Sequence, residues 1–424
     1  MPELIVTKDI DAPGLDMLEV YHQHGGYTAL TRALKELQPD EIVEMVKKSG
    51  LRGRGGAGFA TGLKWSFLAK NDKPRYLCCN ADESEPGTFK DRMLMEKNPH
   101  QLIEGVIITS YACRVSTAFI YVRGELALAG RQIERAIEEA YDAGYIGKDI
   151  LSSGYDLDVI MHRGAGAYIC GEESALMESL EGRRGYPRLK PPFPAVIGLY
   201  GGPTVINNAE TLATLPAILN NGAEWYASFG TEKSKGTRVF CLSGHVKKPG
   251  NYELPLGTPL RTLIYDEQYG GGILDDKQLK AIIPGGSSTF ILGADKVDTQ
   301  LDFEAIAAAG SMLGSGGVIV MHEDTCIVGA VLRMVEFYRD ESCGKCTPCR
   351  EGTYWMTEIL ERVEHGHGKE SDIDLLMDIC DNISGKSFCP LGDAATSPVT
   401  SSIKLFREEY AYHIREGHCM VGNE

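Results

Sequence analysis

The sequence predicts a multidomain protein in which an α/β domain precedes a small α+β domain and a helical bundle. Three observations support this. Strands and helices alternate up to about residue 235, short β-like runs broken by Gly and Pro follow, and helical periodicity returns after about residue 322. The chain has 424 residues, more than one hydrophobic core normally serves, so two to four domains are expected. The predicted domains are 1–235, 236–322 and 323–424.

The predicted first domain begins with residues 1–38, which lack sustained periodicity and are expected to form an extended arm. A helix is predicted to begin at Pro39 and to end at Gly50. Further strands are predicted at 75–82, 117–123 and 156–162, and helices at about 88–114 and 125–143. This alternation predicts a parallel or mixed sheet covered by helices.

Composition and charge exclude several classes of protein. The net charge of −16 argues against general nucleic-acid binding, which needs a basic surface to displace phosphate counterions. An apolar content of 43% with 24% charged residues is typical of a soluble globular protein. The apolar segment 103–115 is too short to cross a bilayer and contains a glutamate and an arginine. We therefore expect no direct membrane insertion.

Four cysteines have the spacing of an iron-sulfur ligand set. Cys343, Cys346 and Cys349 lie two residues apart in ESCGKCTPCR, and Cys389 follows in SFCPLGD, directly before Pro390. A C-x2-C-x2-C run lets three sulfurs converge from one turn, and a distant fourth ligand closes the site. An all-thiolate zinc site remains an alternative. A disulfide framework is disfavoured because no signal peptide is evident, so the other cysteines are expected to be reduced and mostly buried.

A glycine-rich loop at 52–59, RGRGGAGF, contains a literal G-x-G-x-x-G that begins at Gly53. The dinucleotide-binding fingerprint requires a strand before the glycines, whereas a helix is predicted here, so that fingerprint is not met. The bare backbone still lets amide groups approach a phosphate or a flat ring, and Arg54 and Lys64 are expected to supply charge.

A second glycine-rich segment at 163–182 follows the strand predicted at 156–162 and leads into a helix near Gly171. Its amide groups form a candidate cradle for an anion or a cofactor. Glu172 and Glu173 at the start of that helix have two interpretations. They offset the helix macrodipole, or they hydrogen-bond ribose hydroxyl groups and repel a 2′-phosphate, which favours NADH over NADPH.

Two polar segments are further candidates. A basic cluster precedes the stiff PPFP run that presents Phe193, and its members are Arg183, Arg184, Arg188 and Lys190. It either contacts a ligand with charge and an aromatic face or is a solvated turn. Polar residues also follow the strand predicted at 75–82, where α/β folds bind ligands, and these are Asn80, Asp82, Glu83, Ser84 and Glu85. Helix capping is the other interpretation of this acidic loop.

The chain resembles the flavoprotein, NADH-binding subunit of respiratory complex I, NADH:quinone oxidoreductase, in several segments. They are GRGGAGF with TGLKW, CNADESEPGTFKDR, GAGAYICGEESAL with LEGRRGYPR and KPPFP, VINNAET, and ESCGKCTPCREGT with Cys389. The agreement covers about residues 20–420 in the family's order. The resemblance implies an FMN-binding α/β domain, a ubiquitin-like β-grasp domain and a C-terminal helical bundle with a 4Fe-4S cluster.

The resemblance also implies roles for individual residues. The implied FMN-binding residues are Gly53, Arg54, Gly55, Gly56, Lys64, Asn80, Asp82, Ser84, Tyr168, Gly171, Glu172, Glu173, Asn207, Asn208 and Thr211. The implied NADH-binding residues are Phe59, Phe67, Glu85, Lys190 and Phe193. The implied cluster ligands are Cys343, Cys346, Cys349 and Cys389.

The implied activity is that of the NADH dehydrogenase of a proton-translocating complex. NADH gives a hydride to FMN, and single electrons pass to the 4Fe-4S cluster and on towards quinone. Since the cofactors carry this chemistry, no side chain is predicted to be an essential acid or base. Glu85 is expected to tune NADH binding and the flavin instead.

The resemblance implies partners as well: a small 2Fe-2S thioredoxin-like subunit and a larger multi-cluster iron-sulfur subunit. The expected location is cytoplasmic, peripheral on the inner face of the membrane through complex I. One alternative is the diaphorase subunit of an NAD-linked hydrogenase or formate dehydrogenase. An alternative of another class is a zinc-bearing, non-enzymatic scaffold whose glycine loops are structural.

Overall fold

The structure is a computed structural model that describes residues 3–421. The first two residues of the predicted first domain and the last three of the predicted third domain lie outside the described residues. Contacts divide the chain into two compact units. The first is Met1–Ser84, Phe89–Phe240 and Glu253–Gly257, and the second is Glu85–Thr88, Cys241–Tyr252 and Thr258–Glu424.

Helices make up much of both units. Those of the first unit are α1 (Leu18–Gln23), α2 (Thr28–Glu36), α3 (Pro39–Ser49), α4 (Thr61–Ser66), α5 (Lys90–Lys97), α6 (Pro99–Cys113), α7 (Ala127–Asp142), α8 (Glu173–Leu180), α9 (Ala209–Ala213), α10 (Leu215–Asn221) and α11 (Ala223–Ala227). Those of the second unit are α12 (Leu260–Tyr265), α13 (Phe303–Ala308), α14 (Ile327–Glu341), α15 (Thr347–Glu364), α16 (Asp372–Ile383) and α17 (Leu391–Glu416). The helix predicted from Pro39 is confirmed, and it ends where Gly50 adopts a left-handed conformation.

The first unit is built on a four-stranded parallel sheet. Its strands are β1 (Tyr76–Ala81), β2 (Thr117–Val122), β3 (Asp158–Arg163) and β4 (Thr204–Asn208), in the order β3-β2-β1-β4. The three predicted strands are confirmed, and β4 is an additional one. Leu77, Cys78 and Cys79 of β1 are fully buried, as expected of a parallel strand with helices on both faces.

The second unit contains most of a mixed five-stranded sheet. Its strands are β5 (Thr237–Gly244), β6 (Gly250–Pro255), β7 (Leu279–Ile283), β8 (Leu292–Gly293) and β9 (Gly317–His322), in the order β6-β5-β9-β7-β8. β5 and β9 are parallel, whereas β7 is antiparallel to both β8 and β9. α14 packs against α15 and α17, and α16 packs against the same two helices, so the predicted helical bundle is confirmed. The domain boundaries near residues 235 and 322 stay predictions.

The expectation that residues 1–38 form an extended arm is wrong, because this segment contains α1 and α2. The buried carboxylate of Glu104 on α6 determines where α2 begins. It accepts hydrogen bonds from the backbone N–H groups of Tyr27 and Leu30, both at 3.0 Å, and from the Tyr21 hydroxyl at 2.6 Å. A cap supplied from so far along the chain leaves no local sequence signal.

A single carboxylate also fixes the first residues of the chain. Glu253 on β6 accepts hydrogen bonds from the backbone N–H groups of Ile5, Val6 and Thr7 at 3.0, 3.0 and 2.8 Å. It also accepts one from the Thr237 hydroxyl at 2.5 Å. Because Glu253 is only 4% exposed, its charge is stabilised by these donors rather than by water.

Replacing Glu253 by Gln is expected to destabilise the protein by about 1–3 kcal/mol, because an amide nitrogen cannot accept the hydrogen bonds that one carboxylate oxygen accepts now. Urea unfolding measures this change, and hydrogen exchange of the amides of Ile5, Val6 and Thr7 should accelerate. The exposed Glu232 is the control, since Glu232→Gln is expected to change stability by less than about 0.5 kcal/mol. Unchanged protection of the three amides in Glu253→Gln would contradict the assignment.

Within residues 3–421, no helix combines the length and apolar character that crossing a bilayer requires.

Candidate functional site

The candidate site of the first unit lies at the carboxyl ends of β1 and β4. These neighbouring parallel strands place Asn80 directly opposite Asn208. Asn207, the residue before, is held by the indole N–H of Trp65 on α4, which donates to its side-chain oxygen at 2.9 Å. Because the carboxyl ends of parallel strands meet at one edge of a sheet, the two predicted segments come together there.

The second glycine-rich segment reaches the same strand end. A 3-10 turn at Tyr168–Gly171 leads into α8, and the Asn80 amide donates to the Gly171 carbonyl at 2.8 Å. A Cβ atom at Gly171 would lie 3.5 Å from a carboxylate oxygen of Asp82, so this turn also lies close to Asp82. Tyr168, Gly171, Asn80 and Asp82 therefore belong to one region.

Alternating charges connect α4, α8 and the segment after it. The Lys190 ammonium lies 2.9 Å from a Glu172 oxygen and 2.6 Å from a Glu173 oxygen. The Lys64 ammonium lies 3.7 Å from the other Glu173 oxygen and donates to the Ile206 carbonyl of β4 at 2.7 Å. The structure thus brings both predicted lysines and both predicted glutamates together.

These contacts set the ionisation of three members of the group. Burial lowers the pKa of the Lys64 amine, and Glu173 opposes this only in part. Burial would raise the pKa of Glu173, but Lys64 and Lys190 hold the pKa below its ordinary value. For Lys190, hydrogen bonds to the two glutamates outweigh burial and raise the pKa. These three groups are therefore charged near neutral pH, and the site has preformed ionic partners for polar ligand groups.

The two glutamates differ in role. One oxygen of Glu172 accepts hydrogen bonds from the backbone N–H groups of Ser174 and Ala175 at 2.9 and 3.0 Å, so Glu172 caps α8. Its other oxygen binds Lys190. Glu173 makes no capping bond among the described contacts and faces the two lysines. The capping interpretation thus applies to Glu172, and Glu173 is the better candidate for a ligand contact.

The first glycine loop lies between α3 and α4, so the helix expected before it is present. Its ends are joined by a hydrogen bond from the Gly53 N–H to the Phe59 carbonyl at 2.8 Å. A Cβ atom at Gly55 would lie 3.0 Å from Cβ of Asn208, whereas one at Gly56 would meet no atom within 4 Å. Gly56, with a φ of 146°, leaves the open side of the loop bare.

Arg54 differs from the expectation that its side chain supplies charge to a ligand. The residue is fully buried, and its guanidinium donates to the Tyr226 hydroxyl at 2.8 Å and to the carbonyls of Lys235 and Thr237 at 3.0 and 2.8 Å. Its backbone N–H donates to the Thr211 hydroxyl at 2.8 Å. We therefore correct its role: Arg54 holds the loop in place from below, and Thr211 is the partner of its backbone.

Sequence reasoning missed a buried charged cluster beneath Asn208. The Lys90 ammonium lies 2.8 Å from Asp91 and 2.8 Å from Glu210, and all three side chains are at most 4% exposed. Asp91 accepts a hydrogen bond from the Asn208 amide at 2.6 Å, and Asn208 caps α9. The only sequence signal is the KDR end of the CNADESEPGTFKDR segment, which looks like an ordinary solvated helix start.

Glu83 has the capping role that was open for the acidic loop. Its two oxygens accept hydrogen bonds from the backbone N–H groups of Asp91 and Arg92, both at 2.8 Å, at the start of α5. Burial and the nearby Asp91 raise the pKa of Glu83 to about 7.

Three aromatic rings that were predicted to bind NADH are half exposed. Phe59, Phe67 and Phe193 have exposed fractions of 50, 53 and 57%. The rings of Phe59 and Phe67 have centroids 6.3 Å apart. Because exposed aromatic faces cost free energy in water, such rings are typical of surfaces that stack on flat ligands.

The basic cluster of the sequence is divided in the structure. Arg188 contacts Glu178 at 2.5 Å and Glu181 at 2.8 Å, and Arg183 contacts the same two glutamates at 3.6 and 2.8 Å. These arginines are neutralised within the fold. Lys190 alone, of the two arginines and this lysine, joins the candidate site.

Glu85 belongs to the second unit. It accepts hydrogen bonds from the backbone N–H of Ser288 at 2.7 Å and from the Ser287 hydroxyl at 3.3 Å. A Cβ atom at Gly286 would lie 2.5 Å from the Glu85 side chain. Glu85 is thus held firmly by the 286–288 turn, and its predicted role stays a prediction from resemblance.

The first-unit residues fit a bound planar anionic cofactor. The Ser84 hydroxyl is buried, and among the described residues it has no hydrogen-bond partner. Unsatisfied buried hydroxyl groups are rare and mark places where a ligand or water completes the bonding. Together with the bare loop at Gly56 and the cations of Lys64 and Lys190, this donor set suits a phosphate and a polar ring.

The four predicted cluster cysteines lie in two connections of the helical bundle. Cys343 and Cys346 lie between α14 and α15, Cys349 lies in the first turn of α15, and Cys389 lies between α16 and α17. The connections meet, because the N–H of Phe388 donates to the Cys346 sulfur at 3.4 Å. The structure therefore brings the C-x2-C-x2-C turn and the segment of the fourth cysteine together.

The surroundings of Cys349 fit an iron-sulfur ligand. The Ser342 hydroxyl lies 3.2 Å from its sulfur. Burial raises the pKa of Cys349 to about 11, with neighbouring Cys346 and Cys343 as further causes, and the Ser342 contact lowers it. Thiolates crowded in this way need a cationic centre to stay charged, and an all-sulfur donor set suits an iron-sulfur cluster or zinc.

Family comparisons match three segments of the chain. Residues 46–217 match the Nuo51 FMN-binding domain, residues 239–291 match the SLBB domain, and residues 329–413 match the NADH-ubiquinone oxidoreductase-F iron-sulfur binding region. The first segment spans the glycine loops and the ends of β1 and β4, and the third spans all four cluster cysteines.

Curated relatives match nearly the whole chain, and all are F subunits of NADH-quinone oxidoreductases. The relative from Rhizobium meliloti is 53% identical over 99% of this chain and 99% of its own length. The one from Mycobacterium tuberculosis is 55% identical over 98% of this chain and 94% of its own length. For the one from Streptomyces coelicolor, the identity is 56% over 95% and 89%. Among solved structures, an NAD+-reducing [NiFe]-hydrogenase in the H2-reduced state has a TM-score of 0.85 at 35% identity, covering 97% of this chain and 67% of that chain.

Proposed function

The chain belongs to the family of NADH-quinone oxidoreductase F subunits, and from this membership we propose that the candidate site of its first unit binds FMN and NADH. We further propose that Cys343, Cys346, Cys349 and Cys389 hold the 4Fe-4S cluster. The observation that carries the proposal is the meeting of the bare glycine loop, Asn80, Asn208 and the Lys64–Glu173–Lys190 group at one sheet edge.

The protein is a flavin-dependent NADH dehydrogenase subunit of complex I. FMN, when bound, takes a hydride from NADH and releases the two electrons one at a time to the iron-sulfur cluster. The residues of the chain bind and orient. Lys64 and Lys190 meet anionic or polar ligand groups, Glu173 accepts hydrogen bonds from hydroxyl groups, and the half-exposed phenylalanines stack on flat rings. We propose no essential acid or base.

An anaerobic NADH titration of the purified flavin-loaded and cluster-loaded subunit tests this function. We expect NADH to bleach the visible flavin absorption and then to produce the paramagnetic signal of a reduced cluster. A protein that holds zinc but is neither yellow nor brown would support the scaffold alternative instead and would overturn the proposal.

Replacing Lys190 by Met is expected to raise the KM for NADH by at least about tenfold, or about 1.4 kcal/mol, because the ammonium group that meets the substrate is lost. FMN content should stay the same, since Glu172 keeps its cap of α8 and Glu173 keeps Lys64. Steady-state ferricyanide reduction measures the KM. Arg183→Met, which removes a 65% exposed cation paired with glutamates, is the matched control with an unchanged KM. An unchanged KM in Lys190→Met would remove Lys190 from the NADH site.

The relatives are subunits of a multi-subunit oxidoreductase, so this protein functions with partner subunits. We propose that these include a small 2Fe-2S thioredoxin-like subunit and a larger multi-cluster iron-sulfur subunit, at the cytoplasmic face of the membrane. Affinity purification from the native cell, with identification of the bound chains, tests this. Recovery of hydrogenase or formate dehydrogenase chains would favour the diaphorase alternative, which the 35% identity to the hydrogenase chain supports less well than the 53–56% identity to the NADH-quinone oxidoreductase relatives.

A further inference from the structure

A second group of metal-ligating side chains lies in the second unit and shares no residue with the proposed cluster site. Cys326, His413 and Cys419 each present one ligand atom, and these atoms lie within 4.8 Å of one another. The Cys326 sulfur is 3.4 Å from Nε2 of His413. The three residues come from separate places: the cap of α14, the last part of α17 and the turn after α17.

The turn that carries Cys419 is built by two glycines. α17 ends at Gly417, whose φ of 75° turns the chain. Gly366, after α15, approaches Gly417 so closely that a Cβ atom there would lie 2.2 Å from the Gly417 carbonyl oxygen. This approach directs the chain after α17 back towards the start of α14 and fixes the position of Cys419.

The groups around the three side chains are suited to metal ligands. The backbone N–H of Gly329 donates to the Cys326 sulfur at 3.3 Å, and that of Val421 donates to the Cys419 sulfur at 3.4 Å. Such bonds stabilise thiolates. Nδ1 of His413 faces Glu364 at 3.8 Å, which leaves Nε2 directed at Cys326. A carboxylate beside the outer nitrogen of a histidine ligand is common at zinc sites, where it orients the ring.

We propose that Cys326, His413 and Cys419 bind one zinc ion. Two thiolates and one imidazole are a donor set that zinc accepts, with a fourth position left for water. Glu364 is a positioning residue that acts through His413. The ion ties the end of the chain to the start of α14, and thereby stabilises the bundle that carries the proposed iron-sulfur ligands.

The test uses the full chain loaded with FMN and cluster, incubated with equimolar Zn²⁺ and passed through a desalting column. Elemental analysis is expected to find about one zinc per chain, and X-ray absorption at the zinc edge about two sulfur ligands near 2.3 Å. Cys419→Ser should retain at least about tenfold less zinc. This variant lies near the chain end and should keep its FMN and iron, which are measured in the same sample.

Two further variants sharpen the result. Cys380→Ser, at a fully buried cysteine of α16, is the matched control and should keep its zinc. Glu364→Gln should weaken zinc affinity about 10- to 100-fold without changing the number of sulfur ligands, as expected for a residue that only orients a ligand. Any of four results would overturn the proposal: no bound zinc in the parent chain, zinc with four sulfur ligands, zinc retained by Cys419→Ser, or a Cys326–Cys419 disulfide in the purified protein.

Discussion

Replacing Cys346 by Ala is expected to remove the iron-sulfur cluster, with iron content falling from about four atoms per chain to less than about one. Cys346 occupies the centre of the ligand set. It is the residue directly before α15, it lies between Cys343 and Cys349 in one turn, and its sulfur accepts the N–H of Phe388 next to the fourth cysteine. Loss of this ligand therefore affects both connections that form the site.

The functional result should be selective. Electron transfer from NADH to quinone in the assembled complex should be lost, whereas FMN should stay bound, because the proposed FMN residues all belong to the first unit. Iron analysis and the paramagnetic signal of the reduced protein measure the loss. Cys380→Ala is the control, since Cys380 is buried against Met356 with the two sulfurs 3.5 Å apart and should keep full iron content. A Cys346→Ala protein with an intact cluster signal would reject the assignment.

Replacing Lys90 by Met is expected to destabilise the first unit by about 3–5 kcal/mol, because two buried carboxylates lose their cation. Burial alone lowers the pKa of Lys90, but Asp91 and Glu210 raise it well above its ordinary value, so the amine is charged at every accessible pH. Glu210 also accepts the N–H of Val239 at 2.9 Å, so the cluster connects α5, α9 and β5. FMN retention should fall too, since Asn208 bonds to Asp91.

Chemical unfolding monitored by flavin release measures the loss of stability. Lys97→Met, on the same helix, is the matched control: the Lys97 side chain is 49% exposed and pairs with Asp11, so the expected change is about 0–1 kcal/mol. Adding Glu210→Gln to Lys90→Met should restore part of the stability, because one uncompensated charge is removed. Equal stability of Lys90→Met and Lys97→Met would show that the buried cluster does not support the fold.

Local sequence patterns predicted the parts of this protein that depend on local physics. The cysteine spacing identified the turn before α15, and the alternation of strands and helices predicted β1, β2 and β3 with the helices between them. In both cases the determining residues are neighbours in the chain. The resemblance to known sequences added the functional residues, which spacing alone left open.

Long-range contacts account for what was missed. α2 depends on Glu104, which lies 77 residues from the Tyr27 amide that it binds, and residues 5–7 depend on Glu253, up to 248 residues away. Arg54 looked like a ligand contact because its loop is rich in glycine, yet its partners lie 172 to 183 residues further along the chain. No pattern of adjacent residues carries such information, so only the folded chain shows which polar groups satisfy one another.

The topology of the parallel sheet orders the events of biosynthesis. β1 ends at Ala81, but its second neighbour, β4, begins only at Thr204, so at the ribosome's usual pace on the order of ten seconds separates the two strands. During that interval one edge of a very apolar central strand has no partner, which makes the nascent chain dependent on chaperone protection. Asn207 and Asn208 lie on the last strand to arrive, so a flavin can be captured only after the whole sheet has been translated.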